Sequence, residues 1–330
     1  MAKTGSKSGD RNSAKGDGKK QHRKNQDRQD QKPGHEPKHQ QRRDERKGQK
    51  ERPLRTLLRV PPGSGPVNLR AYDPSATPGG PRDKAEALEA TAEIRLRLAE
   101  LQERLFAQST QGDPHCVLLV LQGMDTSGKG GTIKHVSDGL NPAGIRVKAF
   151  KAPTEQERQH PFLWRIRQAL PRPGELGVFD RSHYEDVLIA RVRDLVPRAT
   201  WSRRYGVINR FEQSLADDGV TVVKAFLHIS YDKQRERLLE RLDRPDKHWK
   251  FNPGDISERA LWPAYQEAYE TALERCSTDA APWHIVPSDR KWYRNWAVAK
   301  LLLEHLELID PAYPKADFDV ERSRTELLAT

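Results

Sequence analysis

Residues 116–121, Cys116-Val117-Leu118-Leu119-Val120-Leu121, form an unbroken apolar run. It leads at once into Gly123-Met124-Asp125-Thr126-Ser127-Gly128-Lys129-Gly130-Gly131-Thr132. A short apolar run bounded by turn residues predicts a strand buried on both faces. A buried strand entering a glycine-rich turn that carries a lysine has the sequence form of a phosphate-binding loop. Glycines let successive backbone N–H groups converge on an anion, the helix that follows offers its positive N-terminus, and Lys129 supplies a mobile cation. The loop therefore demands a parallel sheet with helices as its connections. Candidate phosphate-binding positions in it are Gly123, Ser127, Gly128, Gly130, Gly131 and Thr132. One position departs from the commonest pattern: Gly130 follows the lysine where a Ser or Thr usually reaches a metal, and the nearest hydroxyl is Thr132. Asp125 is also unusual, since an acid repels a polyanion unless a cation lies between them. It reads as a metal ligand, with a turn-capping side chain as the plainer alternative.

The rest of the chain supplies the sheet. Asp83 N-caps a helical pattern running to about Gln108, with Leu88, Ala92, Leu96, Leu98, Leu101 and Leu105 near 3.6-residue spacing. Strands are predicted at 116–122, 145–150, 176–180, 220–229 and 283–287. Between and after them, helices are predicted at 129–139, 154–170, 184–194, 201–217, 231–242, 255–277 and 290–309. The pattern Thr154-Glu155-Gln156-Glu157 is a capping box. The expected fold is α/β: a P-loop kinase-like, doubly wound parallel sheet of about five strands with a helical lid. The core domain spans 83–312 with its lid at about 241–277, preceded by an extended Pro- and Gly-rich linker at 53–82 and followed by a C-terminal extension at 313–330.

Charge is distributed unevenly. Residues 1–52 hold 17 Lys+Arg against 8 Asp+Glu, a net of +9, and contain no Val, Ile, Leu or aromatic residue. A segment with so little apolar surface is expected to be a disordered basic tail. Subtracting it from the chain total of +11 leaves about +2 for the remainder, 41 basic against 39 acidic residues. The tail reads either as a solubilising extension or as an arm that binds polyanions through counterion release. No run of about 18 apolar residues and no signal-peptide core occurs, so no membrane partner and a cytoplasmic location are expected. Cys116 and Cys276 have neither metal-ligand nor disulfide spacing and read as plain thiols.

Two further segments carry chemistry. In Val178-Phe179-Asp180-Arg181-Ser182-His183-Tyr184-Glu185-Asp186, Asp180 ends an apolar strand, where a Walker B acid would hold a hard cation. Arg181 is placed to clamp a phosphoryl group, while His183, Glu185 and Asp186 are equally accounted for as the start of a helix. Arg235 to Phe251 is a basic helix that breaks at Pro245 into Lys247-His248-Trp249-Lys250, the pattern of a closing lid. An ordinary solvated face accounts for Arg235 and Arg237, but not for aromatics interleaved with lysines.

Together these segments resemble the polyphosphate kinase 2 family over about residues 54–312. The resemblance rests on Leu121 to Val136, Phe162-Leu163-Trp164-Arg165, Phe179 to Leu188, Trp249-Lys250-Phe251 and Ala281 to Asn295. It implies magnesium-dependent (or manganese-dependent), reversible phosphoryl transfer between inorganic polyphosphate and a nucleotide, ADP or GDP or else AMP or GMP. It also implies a homo-oligomer, and no nucleic-acid partner. Asp125 and Asp180 would hold the metal, while Lys129, Arg181, Arg241, Lys247 and Lys250 would hold phosphates. Ser182 to Asp186 resembles the subgroup that takes mono- and diphosphates, whereas Gly130 and Asp180 resemble the diphosphate-preferring one, so both acceptor classes stay open. The residues alone also admit an ATP-dependent nucleotide kinase, or a non-catalytic anion- or nucleic-acid-binding module acting through the tail.

Overall fold

The computed structural model describes residues 52–330. The expectation of a disordered tail concerns residues 1–52 and so lies, all but its last residue, outside the described residues. The first long helix, α1 (Lys84–Ser109), begins where Asp83 accepts hydrogen bonds from the Ala85 and Glu86 amides. Strand β1 (Cys116–Gln122) follows, then α2 (Lys129–Val136), β2 (Ile145–Ala149) and β3 (Leu176–Asp180). Beyond them come α3 (Arg198–Asp217), β4 (Val220–His228), α4 (Tyr231–Asp243), α5 (Gly254–Ala260), α6 (Trp262–Cys276), β5 (Trp283–Pro287), α7 (Lys291–Ile309) and α8 (Val320–Leu328).

The five strands form one parallel sheet in the order β2-β3-β1-β4-β5. The chain leaves β1 for one side of the sheet and later returns to the other, so β1 sits at the switch point, where ligands gather at the strands' carboxyl ends. Alternation along β1 divides the core. Val117, Leu119 and Leu121 pack with α1 and α7, whereas Cys116, Leu118 and Val120 face α3 and α6. Every residue of β1 is buried, as its continuous apolar run requires.

Three predicted helices are shorter than their patterns suggested. The segment 154–170 contains only two single turns, Glu155–Arg158 and Trp164–Arg167. The capping box at Thr154 and Glu157 forms, but Pro161 has no N–H with which to continue the ladder. Residues 184–194 hold a 3-10 turn at His183–Asp186 and one helical turn at Ile189–Val192. The helix expected at 255–277 breaks at Leu261, two residues before Pro263, into α5 and α6. The segment 53–82, expected to be an extended linker, instead holds a helical turn at Leu54–Leu57 and a 3-10 turn at Leu69–Ala71, and it is packed as a strap. Leu54, Leu58, Val60 and Leu69 are buried, and the Val60 and Ile285 amides exchange hydrogen bonds with Trp283 and Leu58 across the open edge of β5. Covering that edge removes a row of unpaired backbone groups. Among the described residues no helix is long and apolar enough to cross a membrane.

Beneath β3 and β4 lies a fully buried polar cluster. Lys224 Nζ donates to Glu212 Oε2 (2.6 Å), Tyr184 Oη (2.8 Å) and the Cys276 carbonyl (2.6 Å). Tyr184 Oη donates to Glu212 Oε1 (2.9 Å), and His183 Nε2 lies 3.1 Å from that same oxygen. Burial raises the Glu212 pKa, but Lys224 and His183 outweigh it and hold the carboxyl below its ordinary range. The cluster ties the turn after β3 to α3, β4 and the end of α6. Glu212→Leu would strand the Lys224 charge in the core, and urea titration should show a loss of about 3–5 kcal/mol. A variant as stable as the wild type would mean that the cluster contributes nothing.

Candidate active site

The glycine-rich loop leaves β1 with two positions that only glycine fills well. Gly123 has φ +152°, and a Cβ there would lie 2.7 Å from the Leu227 carbonyl oxygen; Gly128 has φ +108°, and its Cβ would fall on the Arg294 guanidinium. Gly128 caps α2, whose first residue is Lys129. Lys129 Nζ curls back to donate to the Gly123 carbonyl (2.7 Å) and, more weakly, to that of Met124 (3.4 Å). Burial and then the Arg181 charge depress its pKa, against the pull of Asp125, Asp180 and Glu185. Gly130 and Gly131 line a cavity beside the lysine. Ser127 and Thr132 are fully buried and line neither cavity at the loop, and their hydroxyls have no hydrogen-bond partner among the described residues.

Parallel register brings the acids to this loop. Leu121 pairs with Asp180, so the last residue of β3 stands one strand over from the start of the loop. Arg181 then turns sharply with φ +63°, a left-handed conformation costing about 1–2 kcal/mol in a residue with a Cβ. The turn points its guanidinium at Asp125, whose Oδ1 accepts a hydrogen bond from Nη2 at 2.9 Å. Burial favours a neutral Asp125, but Lys129 and Arg181 outweigh it and hold the carboxyl below its ordinary value. Burial likewise opposes the charge on Arg181, and Glu185, Asp125 and Asp180 more than restore it. Burial raises Glu185.

Among the described residues no cluster of three or more His, Cys, Asp or Glu side chains is arranged to hold a metal by itself. Magnesium does not need one, since it commonly takes one or two carboxylates and completes its shell with water and substrate phosphate. Asp180 lines the cavity beside Lys129. Asp125 holds Arg181 with one oxygen and leaves the other for a cation. Two hard oxygen donors facing a phosphate site fit such an ion.

Two cavities meet here. One, about 500 Å³, is bounded by the loop, Asp180 and Arg181, with Arg241, Lys247, Trp249 and Lys250 from the lid and Lys291 from the start of α7. The other, about 600 Å³, runs from Gly123 and Met124 past Glu185 to Leu188, Ile189, Tyr265 and Tyr269, and is less basic. Asp125, Arg181, Arg241 and Lys250 border both. The lid cations are held by internal partners. Arg241 donates to the Lys250 carbonyl (2.9 Å) and to Asp255 (3.2 Å), while Glu240 binds Lys247 and, at 3.3 Å, Lys291. A polyanion entering the basic cavity would compete for those same donors. The arrangement suits holding a chain of phosphates in one cavity and passing a phosphoryl group across the junction to a molecule in the other.

Sequence reasoning missed several contributors. Arg237 is not on a solvated face: it is buried, and its guanidinium donates to the carbonyls of Thr126, Ser127, Ser288 and Asp289. Its place one turn before Arg241 on α4 was the available signal. Lys291 and Arg294 fall in the segment 281–295 that carries the family resemblance, but local pattern gave neither a role.

The family described as Polyphosphate kinase 2 (PPK2) matches residues 82–314. An AMP/ADP-polyphosphate phosphotransferase from Meiothermus ruber is 50% identical over 264 residues, which is 80% of this chain and 97% of the relative. An ADP-polyphosphate phosphotransferase from Rhodopseudomonas palustris is 42% identical over 231 residues, covering 66% of this chain and 78% of that one. The crystal structure of Polyphosphate Kinase 2 from Arthrobacter aurescens TC1 is 48% identical and superposes with a TM-score of 0.82, over 85% of this chain and 98% of that one.

The Asp125 pair makes stability depend on acid. A carboxyl held below its ordinary value of 3.8 contributes fully above that value, and the contribution is lost as pH falls through the lower folded pKa. The urea midpoint of the wild type should therefore exceed that of Asp125→Asn at pH 7, with the gap closing below about pH 4. A gap that stays constant down to pH 2 would contradict the pairing.

Proposed function

The chain belongs to the polyphosphate kinase 2 family, and on that premise we propose that it transfers a phosphoryl group reversibly between inorganic polyphosphate and a nucleoside mono- or diphosphate. The observation that carries this reading is the meeting of a basic and a less basic cavity at Asp125 and Arg181, beside Lys129. The chain of phosphates would lie in the basic cavity, under Arg241, Lys247 and Lys250. The nucleotide would lie in the other, with its base between the aliphatic wall of Leu188 and Ile189 and the rings of Tyr265 and Tyr269. Adenine nucleotides are the first candidates, since the Meiothermus ruber relative is named for AMP and ADP. The reading carries with it a cytoplasmic location and a homo-oligomer, as the family resemblance implies.

Transfer in such a site rests on positioning and charge. The transition state spreads negative charge over the equatorial oxygens of the moving group, so fixed cations at the junction lower its energy more than that of the bound reactants. Lys129 would leave the Gly123 carbonyl for the phosphate being transferred. Arg181, oriented by Asp125, would bridge donor and acceptor oxygens. Asp180 and Asp125 would hold a magnesium ion, which would neutralise phosphate charge and fix the line of attack. Glu185, raised by burial and bordering the acceptor cavity, would face the acceptor phosphate.

Polyphosphate supplied with AMP, ADP, GMP or GDP separately, without ATP, should yield the next higher nucleotide from at least the adenine acceptors. Lys129→Ala should lower that turnover by about 100-fold or more while leaving the fold intact. Asp180→Asn should weaken the dependence on added magnesium and remove most of the rate. Unchanged turnover in Lys129→Ala, or an unchanged magnesium titration in Asp180→Asn, would overturn the corresponding assignment.

A further inference from the structure

A loop that turns its amides toward an anion must turn its carbonyls elsewhere, and buried carbonyls need donors. From Gly123 to Gly128 each one has its donor. Lys129 takes Gly123, the Ser127 amide takes Met124, and the Thr132 amide takes Gly128. Gln234 Nε2 on α4 donates to the Asp125 carbonyl at 3.2 Å. The two carbonyls at the sharpest part of the turn, where Thr126 has φ +64°, go to a pair of arginines. Arg237 Nη1 donates to Thr126 (2.8 Å) and Ser127 (3.2 Å), and Arg294 Nη1 on α7 donates to Ser127 (2.9 Å).

Both arginines are buried, with 6% and 4% of their surface exposed. Neither has a carboxylate partner among the described residues. Arg237 Nη2 donates to the Ser288 and Asp289 carbonyls, its Nε has no hydrogen-bond partner among the described residues, and Arg294 Nε and Nη2 donate to the Asn295 side-chain oxygen. Burying two neighbouring cations without a carboxylate in contact is costly, and Asp289, Glu236 and Glu240 act on Arg237 only from a distance; capping two carbonyls does not require charge, since neutral donors would serve. The charge of Arg294 therefore stands outside the lining of the basic cavity, behind the loop, while Arg237 holds the loop carbonyls and also borders that cavity. The Gly128 position adds a constraint, because any side chain there would displace the Arg294 guanidinium.

We propose that Arg237 and Arg294 are positioning residues for phosphoryl transfer: by holding the Thr126 and Ser127 carbonyls they fix the turn of the loop around the phosphate chain, and their charge strengthens that site. The inference rests on the polyphosphate reading of the site. Arg237 also lies one helical turn before the lid residue Arg241 on α4, so the same helix fixes the loop and carries the lid.

The experiment compares wild type with Arg294→Met, Arg237→Met and the two arginine-to-lysine variants, each scored per folded molecule at a temperature well below its melting point. Tripolyphosphate affinity is read by calorimetry, and kcat and KM from turnover with long-chain polyphosphate. The methionine variants should lose about 100-fold in kcat and about tenfold in tripolyphosphate affinity, while the KM for nucleotide moves less than about twofold. Lysine restores the charge but not the paired donors, so those variants should recover tripolyphosphate affinity and remain slow. If either methionine variant does not fold, the lysine variant at that position decides by its kcat alone. Lowered melting temperatures with kcat per folded molecule and tripolyphosphate affinity unchanged would overturn the inference. A wild type that makes no nucleotide from polyphosphate would overturn the proposed function instead, and the calorimetry would still judge the two arginines.

Discussion

The structure turns on one backbone requirement: the glycine-rich turn after β1 must open toward the phosphate site while its carbonyls, from Gly123 to Gly128, are satisfied elsewhere. Short-range chemistry meets part of it. Glycine at 123 and 128 tolerates the positive φ values, and α2 accounts for the carbonyl of Gly128. The rest has to be met by elements distant in sequence. α4 and α7 both reach the loop, and α7 is held in place by its packing against the sheet and α1. The doubly wound topology is the scaffold that brings them there, since β1 at the switch point is flanked by β3 on one side and β4 on the other.

The same economy governs charge. At the junction of the cavities, Lys129 and Arg181 face Asp125, Asp180 and Glu185, and the ionisation of Lys129, Arg181, Asp125 and Glu185 depends on the charges around them. No member is idle: an acid that would repel a phosphate alone here orients an arginine and presents a hard oxygen. Glu240 and Asp255 act similarly on the lid, holding Lys247, Lys291 and Arg241 in the orientation in which a chain of phosphates would take them. A site of this kind binds its polyanion by exchanging partners, which costs less reorganisation than ordering free side chains would.

Much of this was legible in the residues before any coordinates. The periodicity of β1, the Asp83 cap, the capping box at Thr154 and the strand at 283–287 are local signals, and each appears where the pattern placed it. Asp180 was found because a strand's last residue is a defined place. Its distance from the loop was not readable, for register between β1 and β3 depends on pairing across 60 residues. The over-long helices at 154–170, 184–194 and 255–277 share a cause: an apolar or capping pattern promised continuity that Pro161, the turn after Ser182 and Pro263 interrupt. Arg237 shows the deeper limit. On a helical wheel it falls beside exposed charges, and only the arrival of carbonyls more than 100 residues away makes burial favourable.

In the proposed reaction a phosphoryl group passes directly from the phosphate chain to the nucleotide at the junction of the two cavities. The most direct measurement uses uniformly radiolabelled polyphosphate, quenched in denaturant after reaction with and without ADP. Direct transfer places label in the γ-phosphate of ATP when ADP is present and leaves none on the protein when it is absent. Label retained on the denatured protein, or a nucleotide pool that gains none, would contradict it.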